Sequence, residues 1–234
     1  MDIICFSHLR WNFVYQRPQH LFSRFARHFR VFYIEEPLYD ANQAFLEDSQ
    51  SPEGVHILVP HLPAGTDEVT AVVIQHQLLE SQFTRLKVTD HICWYLTPMA
   101  LTLGGRMAPV LTVYDCMDEL SAFKNAPPAV CRKEAELLKL ADIVFTGGYS
   151  LYKAKKHLHE NIYPFPSSID KQHFSKARTV KQEPDDQKAI PKPRIGFFGV
   201  IDERMDTILL ETIARLRPEW NYILVGPTVK IDPA

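Results

Sequence analysis

Ile3-Ile4-Cys5-Phe6, Gln16-Arg17-Pro18-Gln19-His20-Leu21-Phe22-Ser23-Arg24-Phe25-Ala26-Arg27-His28-Phe29 and Val31-Phe32-Tyr33-Ile34 are the three runs whose reading decides the fold. The first is a short unbroken apolar segment, the pattern of a strand covered on both faces. In the second, Leu21, Phe22, Phe25, Ala26 and Phe29 recur at helical spacing and give one buried stripe. Pro18 fits the first turn there, because its missing N–H has no helical partner at that position. The third run returns to strand character. Strand, helix and strand in succession make a βαβ unit, which calls for parallel strands.

The alternation continues outward. Residues 55–59 read as a strand, and residues 68–87 as a helix with Val69, Val72, Val73, Leu79, Phe83 and Leu86 on its apolar side. Residues 92–96 and 110–114 are strands, 128–140 a helix, 143–146 a strand and 148–158 a helix. Residues 1–175 are thus expected to form an α/β domain with a doubly wound, mainly parallel sheet, Rossmann-like in class. Residues 176–193 hold Lys176, Arg178, Lys181, Glu183, Asp185, Asp186 and Lys188 with hardly an apolar residue, and read as a solvated linker. Residues 194–200, 203–216 and 221–225 then give strand, helix and strand. One helix covers only one face of those strands, so residues 194–234 read as an incomplete second Rossmann-like unit, interrupted at Ala234.

Composition narrows the function classes. Across 234 residues, 26 Lys and Arg stand against 28 Asp and Glu, for a formal charge of −2. That balance lacks the positive excess that draws a protein onto nucleic acid or anionic lipid. Cys5, Cys93, Cys116 and Cys131 are widely spaced, with no CxxC pair or Cys/His cluster to hold a metal. A reducing, cytoplasmic setting fits them best. The start, Met1 to Trp11, lacks the basic and long apolar segments of a signal peptide, and no apolar run has the length to span a bilayer. A soluble protein is expected, with peripheral membrane contact still open.

Ligands of open α/β sheets bind beyond the carboxyl ends of the strands, which directs attention to particular loops. After the first strand, His8, Arg10, Trp11, Tyr15, Arg17 and His20 gather donors for phosphate or carboxylate and a flat face for a sugar ring. The plainer alternative is that Trp11 and Tyr15 pin the loop while Arg10 and Arg17 pair with Glu35, Glu36 or Asp118. At the end of a later strand, Asp115, Asp118 and Glu119 make an electronegative cluster suited to sugar hydroxyls, or equally to helix capping. Gly147-Gly148 joins a strand to a helix, where backbone N–H groups can approach an anion. Gly199 allows close backbone approach after residue 198, and Arg204 is placed to meet a phosphate or to pair with Asp202 or Asp206. No GxSxG, HExxH, Walker or GxGxxG pattern is present.

In this order, His8-Leu9-Arg10-Trp11 with Gln16-Arg17-Pro18-Gln19-His20, then Tyr114 to Glu119, then Phe198 to Arg204, then Val225-Gly226-Pro227 with Lys230-Ile231-Asp232-Pro233, the sequence resembles the retaining GT-B glycosyltransferases of family 4. The resemblance implies an acceptor-side N-terminal domain and a second domain that binds a nucleoside-diphosphate sugar as donor, with no cofactor and no essential metal. It implies that Arg204 clasps the donor diphosphate with Gly199 beside it. Asp118, Arg10 and His8 would serve the reacting centre, and Trp11, Arg17, Asp115, Glu119, Gly147 and Gly148 would bind substrate. Many relatives carry a lysine soon after the arginine, whereas Met205-Asp206-Thr207 follow here. The family's donor-anchoring acidic pair would lie downstream of Ala234, so the chain by itself is expected to be inactive or nearly so. The acceptor is a carbohydrate, a lipid-linked or a small molecule. A non-catalytic carbohydrate- or nucleotide-binding protein and a nucleotide-sugar epimerase are the competing readings; an NAD oxidoreductase is disfavoured by the missing glycine fingerprint.

Overall fold

The computed structural model describes residues 1–105, 107–180 and 182–231. Lys181 of the expected linker and Asp232, Pro233 and Ala234 of the closing motif lie outside the described residues. The chain divides into two compact units, Met1–Ser168 and Ile169–Ala234.

The first unit runs β1 (Asp2–Phe6), α1 (Arg17–Phe25), β2 (Arg30–Ile34), β3 (Leu38–Ala41), β4 (Phe45–Gln50), β5 (His56–Pro63) and α2 (Glu68–Arg85). It continues with β6 (His91–Tyr95), α3 (Leu101–Gly104), β7 (Leu111–Cys116), α4 (Val130–Leu140), β8 (Ile143–Thr146), α5 (Tyr149–Lys155) and β9 (Ile162–Pro164). The strands form one sheet in the order β3-β5-β2-β1-β6-β7-β8-β9, with β4 added antiparallel along β5. The other pairings are parallel. This is a mostly parallel, Rossmann-like α/β sheet.

From β1 the chain winds outward through β2 to β5, and α2 then carries it back to β6 on the other side of β1. The winding direction therefore reverses between β1 and β6, and the carboxyl ends at Phe6 and Tyr95 flank the switch point where such sheets take ligands. Residues of β1 alternate between faces. Ile4 and Phe6 join Phe32, Ile34, Leu79, Phe83 and Leu137 in one core cluster. Ile3 and Cys5 join Phe22, Val31, Tyr33 and Ile57 in the other. Each fully buried aromatic or branched side chain contributes about 1.5–3 kcal/mol, which is why the strand runs dominate the fold.

Several elements depart from the sequence expectations. Helix α1 stops at Phe25, because Arg30 must already be in β2, where its guanidinium pairs with Asp2 across the β1–β2 register. Helix α2 buries Ala71, Gln75, Leu79 and Phe83, an i, i+4 row. Val69 and Val73, expected on the apolar side, are 76% and 47% exposed. Strands β3 and β4 carry no apolar run and gave no sequence signal.

The second unit contains α6 (Lys171–Phe174), a 3-10 turn over Ser175–Arg178, β10 (Arg194–Phe198), α7 (Thr207–Leu216) and β11 (Asn221–Val225). Strands β10 and β11 pair in parallel, Arg194 with Asn221 through Phe198 with Val225. Helix α7 starts later than the pattern suggested: Asp206 caps it by accepting the Leu209 N–H at 2.8 Å, so residues 203–206 belong to the preceding loop. Among the described residues all four cysteines are free thiols, and no helix is long and apolar enough to cross a membrane.

Candidate functional site

The loop after β1 is tied down residue by residue. The Ser7 hydroxyl lies 2.6 Å from the Tyr33 hydroxyl, and its oxygen accepts the Leu9 N–H at 2.9 Å. Glu35, buried at the end of β2, accepts the Trp11 N–H at 2.7 Å on one carboxylate oxygen and Arg10 Nη1 at 2.9 Å on the other. Arg10 also donates to the Glu36 carbonyl at 2.7 Å. Gln19 is fully buried, and its Nε2 donates to the Trp11 carbonyl at 2.7 Å. The Trp11 ring is buried edge-on against Tyr33, 5.0 Å between centroids, so it packs in the core. His8 sits half-buried in the same loop.

Arg17, the first residue of α1, forms a two-pronged pair with Asp115 near the end of β7: Nε to Oδ2 at 3.0 Å and Nη2 to Oδ1 at 2.7 Å. Its Nη1 donates to the Phe165 carbonyl, and the guanidinium lies 5.0 Å over the Phe165 ring. Both partners are buried, so the pair locks α1 to the sheet's carboxyl edge and to the chain after β9. Burial pushes the Asp115 carboxyl above its ordinary range, and the Arg17 fork opposes that shift. Arg17 thus pairs with Asp115 and not with Asp118.

Beyond β7 the acidic cluster separates. Asp118 is exposed, and its carboxylate makes no ion pair among the described residues. Glu119 accepts Lys155 Nζ at 2.8 Å and the Ser121 hydroxyl at 2.7 Å. Against the cost of partial burial, those bonds hold the Glu119 carboxyl below its ordinary range. Lys155, itself buried, also meets both oxygens of Glu134, at 3.0 and 2.8 Å, and Tyr114 donates to the same carboxylate at 2.7 Å. Desolvation disfavours the Lys155 ammonium, but the bonds to Glu119 and Glu134 outweigh it and raise its pKa. At the β8–α5 junction, Gly147 donates its N–H to the Cys116 carbonyl at 2.8 Å, and an added Cβ would meet the Met117 carbonyl oxygen at 2.3 Å. Nothing lies within 4 Å of the equivalent point on Gly148.

A cleft of about 300 Å³ opens at the switch point, between the carboxyl ends of β1 and β2, one face of α2 and the segment after β6. Glu35, Glu36, Glu68 and Gln75 contribute to its lining. Gln75 and Thr97, neither singled out by the sequence, are buried in its wall. The signal for Gln75 was present as the row Ala71, Gln75, Leu79, Phe83, in which a polar residue occupies a core position.

In the second unit, Arg204 lies in the loop before α7. Its Nε and Nη2 contact both oxygens of Asp202 at 2.6–3.0 Å, and its own N–H is accepted by Asp202 Oδ1 at 3.0 Å. Its side chain is 60% exposed. The loops after β10 and β11 meet through glycines. Gly199 and Gly226 have φ of +146° and +155°, and a Cβ on Gly226 would fall 1.7 Å from the Gly199 carbonyl oxygen.

No family model matches the sequence. Over 179 residues the chain is 26% identical to the Bacillus subtilis (strain 168) protein named "Putative teichuronic acid biosynthesis glycosyltransferase TuaH", covering 68% of this chain and 44% of that protein. Among solved structures, the E. coli structure titled "Trehalose-6-phosphate from E. coli bound with UDP-2-fluoro glucose" matches with a TM-score of 0.61 at 12% identity, over 98% of this chain and 65% of that one. An α,α-trehalose-phosphate synthase (UDP-forming) from Burkholderia xenovorans, in complex with glucose-6-phosphate, matches with 0.61 at 12% identity, over 99% and 67%. Sucrose-phosphate synthase from Thermosynechococcus elongatus matches with 0.55 at 8% identity, over 98% and 71%. The backbone thus follows about two thirds of the fold of these synthases, and the chain spans less than half of the Bacillus protein's length.

Proposed function

We propose that this chain is part of a retaining glycosyltransferase of the family 4 kind, moving a sugar from a nucleoside-diphosphate sugar to an acceptor. One observation carries it: over 98% of its length the backbone follows, at a TM-score of 0.61, the E. coli structure bound with UDP-2-fluoro glucose. The first unit takes the acceptor side and the second contributes to the donor side. A diphosphate leaving group gathers charge as the glycosidic bond breaks and needs fixed donors at that point. Arg204 supplies an oriented, solvent-accessible guanidinium for it, in the loop that follows Gly199. Asp118, with its exposed carboxylate, is the acidic group of the first unit assigned to the reacting sugars. Arg17 with Asp115, Glu119 with Lys155 and Gly147 against Met117 act as positioning residues around its loop, Arg10 and Trp11 hold the loop after β1 on Glu35, and His8 and Gly148 lie along the same edge.

Titration calorimetry of the protein and of Arg204→Ala with UDP-glucose and GDP-mannose tests this. The Arg204→Ala variant is expected to bind its donor at least tenfold more weakly, about 1.4 kcal/mol. Unchanged affinity removes the assignment of Arg204. Failure of both nucleotide sugars to bind the unsubstituted protein counts against the transferase reading itself.

A further inference from the structure

We infer that the cleft at the β1/β6 switch point accepts a hydrogen-bond-donating group without negative charge, a sugar hydroxyl face or an amino sugar, and turns away phosphate esters. Only in making that group part of the acceptor does this rest on the transferase reading.

The polar atoms of the cleft are acceptors. Glu68, Val72 and Gln75 stand at i, i+4 and i+7 of α2 and so share one face. Gln75 is 4% exposed. Its Nε2 donates to the Ala71 carbonyl at 3.1 Å, and its Oε1 has no donor among the described residues. A buried acceptor left without a donor is destabilising until one arrives. The Thr97 hydroxyl oxygen accepts the Met99 N–H at 3.3 Å. Glu35 is neutralised by Arg10, whereas Glu36 and Glu68 make no salt bridge among the described residues.

Positive charge is missing from the same walls. No Lys, Arg or His occurs among the described lining residues. The amino end of α2 would favour an anion, but Asp67 already accepts the Thr70 N–H there at 3.0 Å, and Glu68 occupies the first turn. A phosphate ester brought into the cleft would therefore meet the Glu68 carboxylate and that of Glu36, which Arg10 partly offsets, and no charged donor among the described lining residues. Hydroxyls or an ammonium would meet acceptors, and Tyr39, Met99 and Leu103 offer apolar surface for a ring face.

The test is titration of the ¹⁵N-labelled chain with glucose, glucosamine and glucose 6-phosphate, reading the Ala100, Thr102 and Leu103 amides and the Gln75 side-chain amide. Glucose or glucosamine is expected to shift them, with glucose 6-phosphate at least tenfold weaker. A preference for glucosamine assigns an amine to Glu36 or Glu68; parity assigns hydroxyls. Glu68→Lys, an exposed site that leaves the fold intact, is expected to narrow the phosphate discrimination to under threefold. Absence of shifts with both neutral and amino sugar, glucose 6-phosphate binding as well as glucose, or unaltered discrimination in Glu68→Lys each overturns the inference. Uridine diphosphate, read at Gly199 and Val200, separates the two claims. Shifts there without sugar binding sink only the cleft, and sugar binding without them keeps the cleft and counts against a uridine-diphosphate donor at the second unit.

Discussion

Removal of Asp115 alone is the sharpest probe of how the carboxyl edge is held. Asp115→Ala leaves the Arg17 guanidinium buried, with the Phe165 carbonyl as its remaining hydrogen-bond acceptor. Breaking a buried ion pair from one side costs about 3–5 kcal/mol, because the surviving charge stays desolvated. With a urea slope of about 2 kcal/mol/M for a unit of this size, the unfolding midpoint should fall by about 1.5–2.5 M. Fluorescence of Trp11 and Trp94, both in the first unit's core, reports the transition. The double variant Arg17→Met, Asp115→Leu removes both charges and replaces them with apolar volume. It forfeits the bond to the Phe165 carbonyl, about 1–3 kcal/mol, and so should recover part of the single variant's loss. A midpoint drop under about 0.5 M in the single variant, or a double variant no more stable than the single, would refute the pairing energetics.

Three other outcomes follow from the same structure. His61 lies between Asp40 on β3 and Glu47 on β4, at 2.7 and 3.1 Å; desolvation works against the imidazolium, but the two carboxylates prevail and raise its pKa above 6.5. Its stabilising effect is complete below the unfolded-state value and lost as pH rises through the folded one, so hydrogen exchange of β3 and β4 should quicken above neutrality and lose that step in His61→Gln. Gly147→Ala forces a Cβ to within 2.3 Å of the Met117 carbonyl oxygen, a backbone clash expected to cost about 1–3 kcal/mol in thermal melts; an unchanged melting temperature would show that the two loops yield freely. Lys155→Met strands Glu119 and Glu134, and should destabilise by about 3–5 kcal/mol at pH 7 with partial recovery at pH 4, where the carboxylates take up protons.

What the sequence disclosed of the fold follows how deeply each segment is buried. Residues 143–146 and 221–225 announce themselves as strands and occupy those positions as β8 and β11. Strands β3 and β4 could not, since Leu38 to Ala41 and Phe45 to Gln50 are largely exposed and polar, and their pairing comes from β5. On α2, valines at 69 and 73 imitate an apolar face, yet the packed row runs through Ala71 and Gln75, and only tertiary contact distinguishes the two. At the candidate site, the rule that ligands bind at strand carboxyl ends singled out loops that the fold gathers along one edge, with Arg10, Arg17, Asp115 and Glu119 on it. The pairs Arg10–Glu35 and Arg204–Asp202 stood among the alternatives, but the partner of Arg17 was not legible. Arg17 and Asp115 are 98 positions apart, and nothing local in either stretch favours Asp115 over Asp118.

Where each cation is committed also divides the labour between the two units. On the first unit's edge, Arg17 and Lys155 are buried in carboxylate pairs, and Arg10 is bound to the buried Glu35. An anion seeking Arg17 or Lys155 would first have to break pairs whose disruption costs about 3–5 kcal/mol each, more than one charge-assisted hydrogen bond of about 1.5–3 kcal/mol returns. Arg204 differs. Its partner Asp202 is buried but its own side chain is 60% exposed, and a solvent-facing pair of this kind is worth about 0–1 kcal/mol. A diphosphate could therefore share that guanidinium from its exposed side without displacing Asp202. Under the proposed reading, the first unit would recognise ligands through acceptors, namely Gln75 Oε1, Glu36, Glu68 and Asp118. If phosphate were recognised on the first unit, it would have to be in spite of its charge distribution, and salt would then strengthen binding there instead of weakening it.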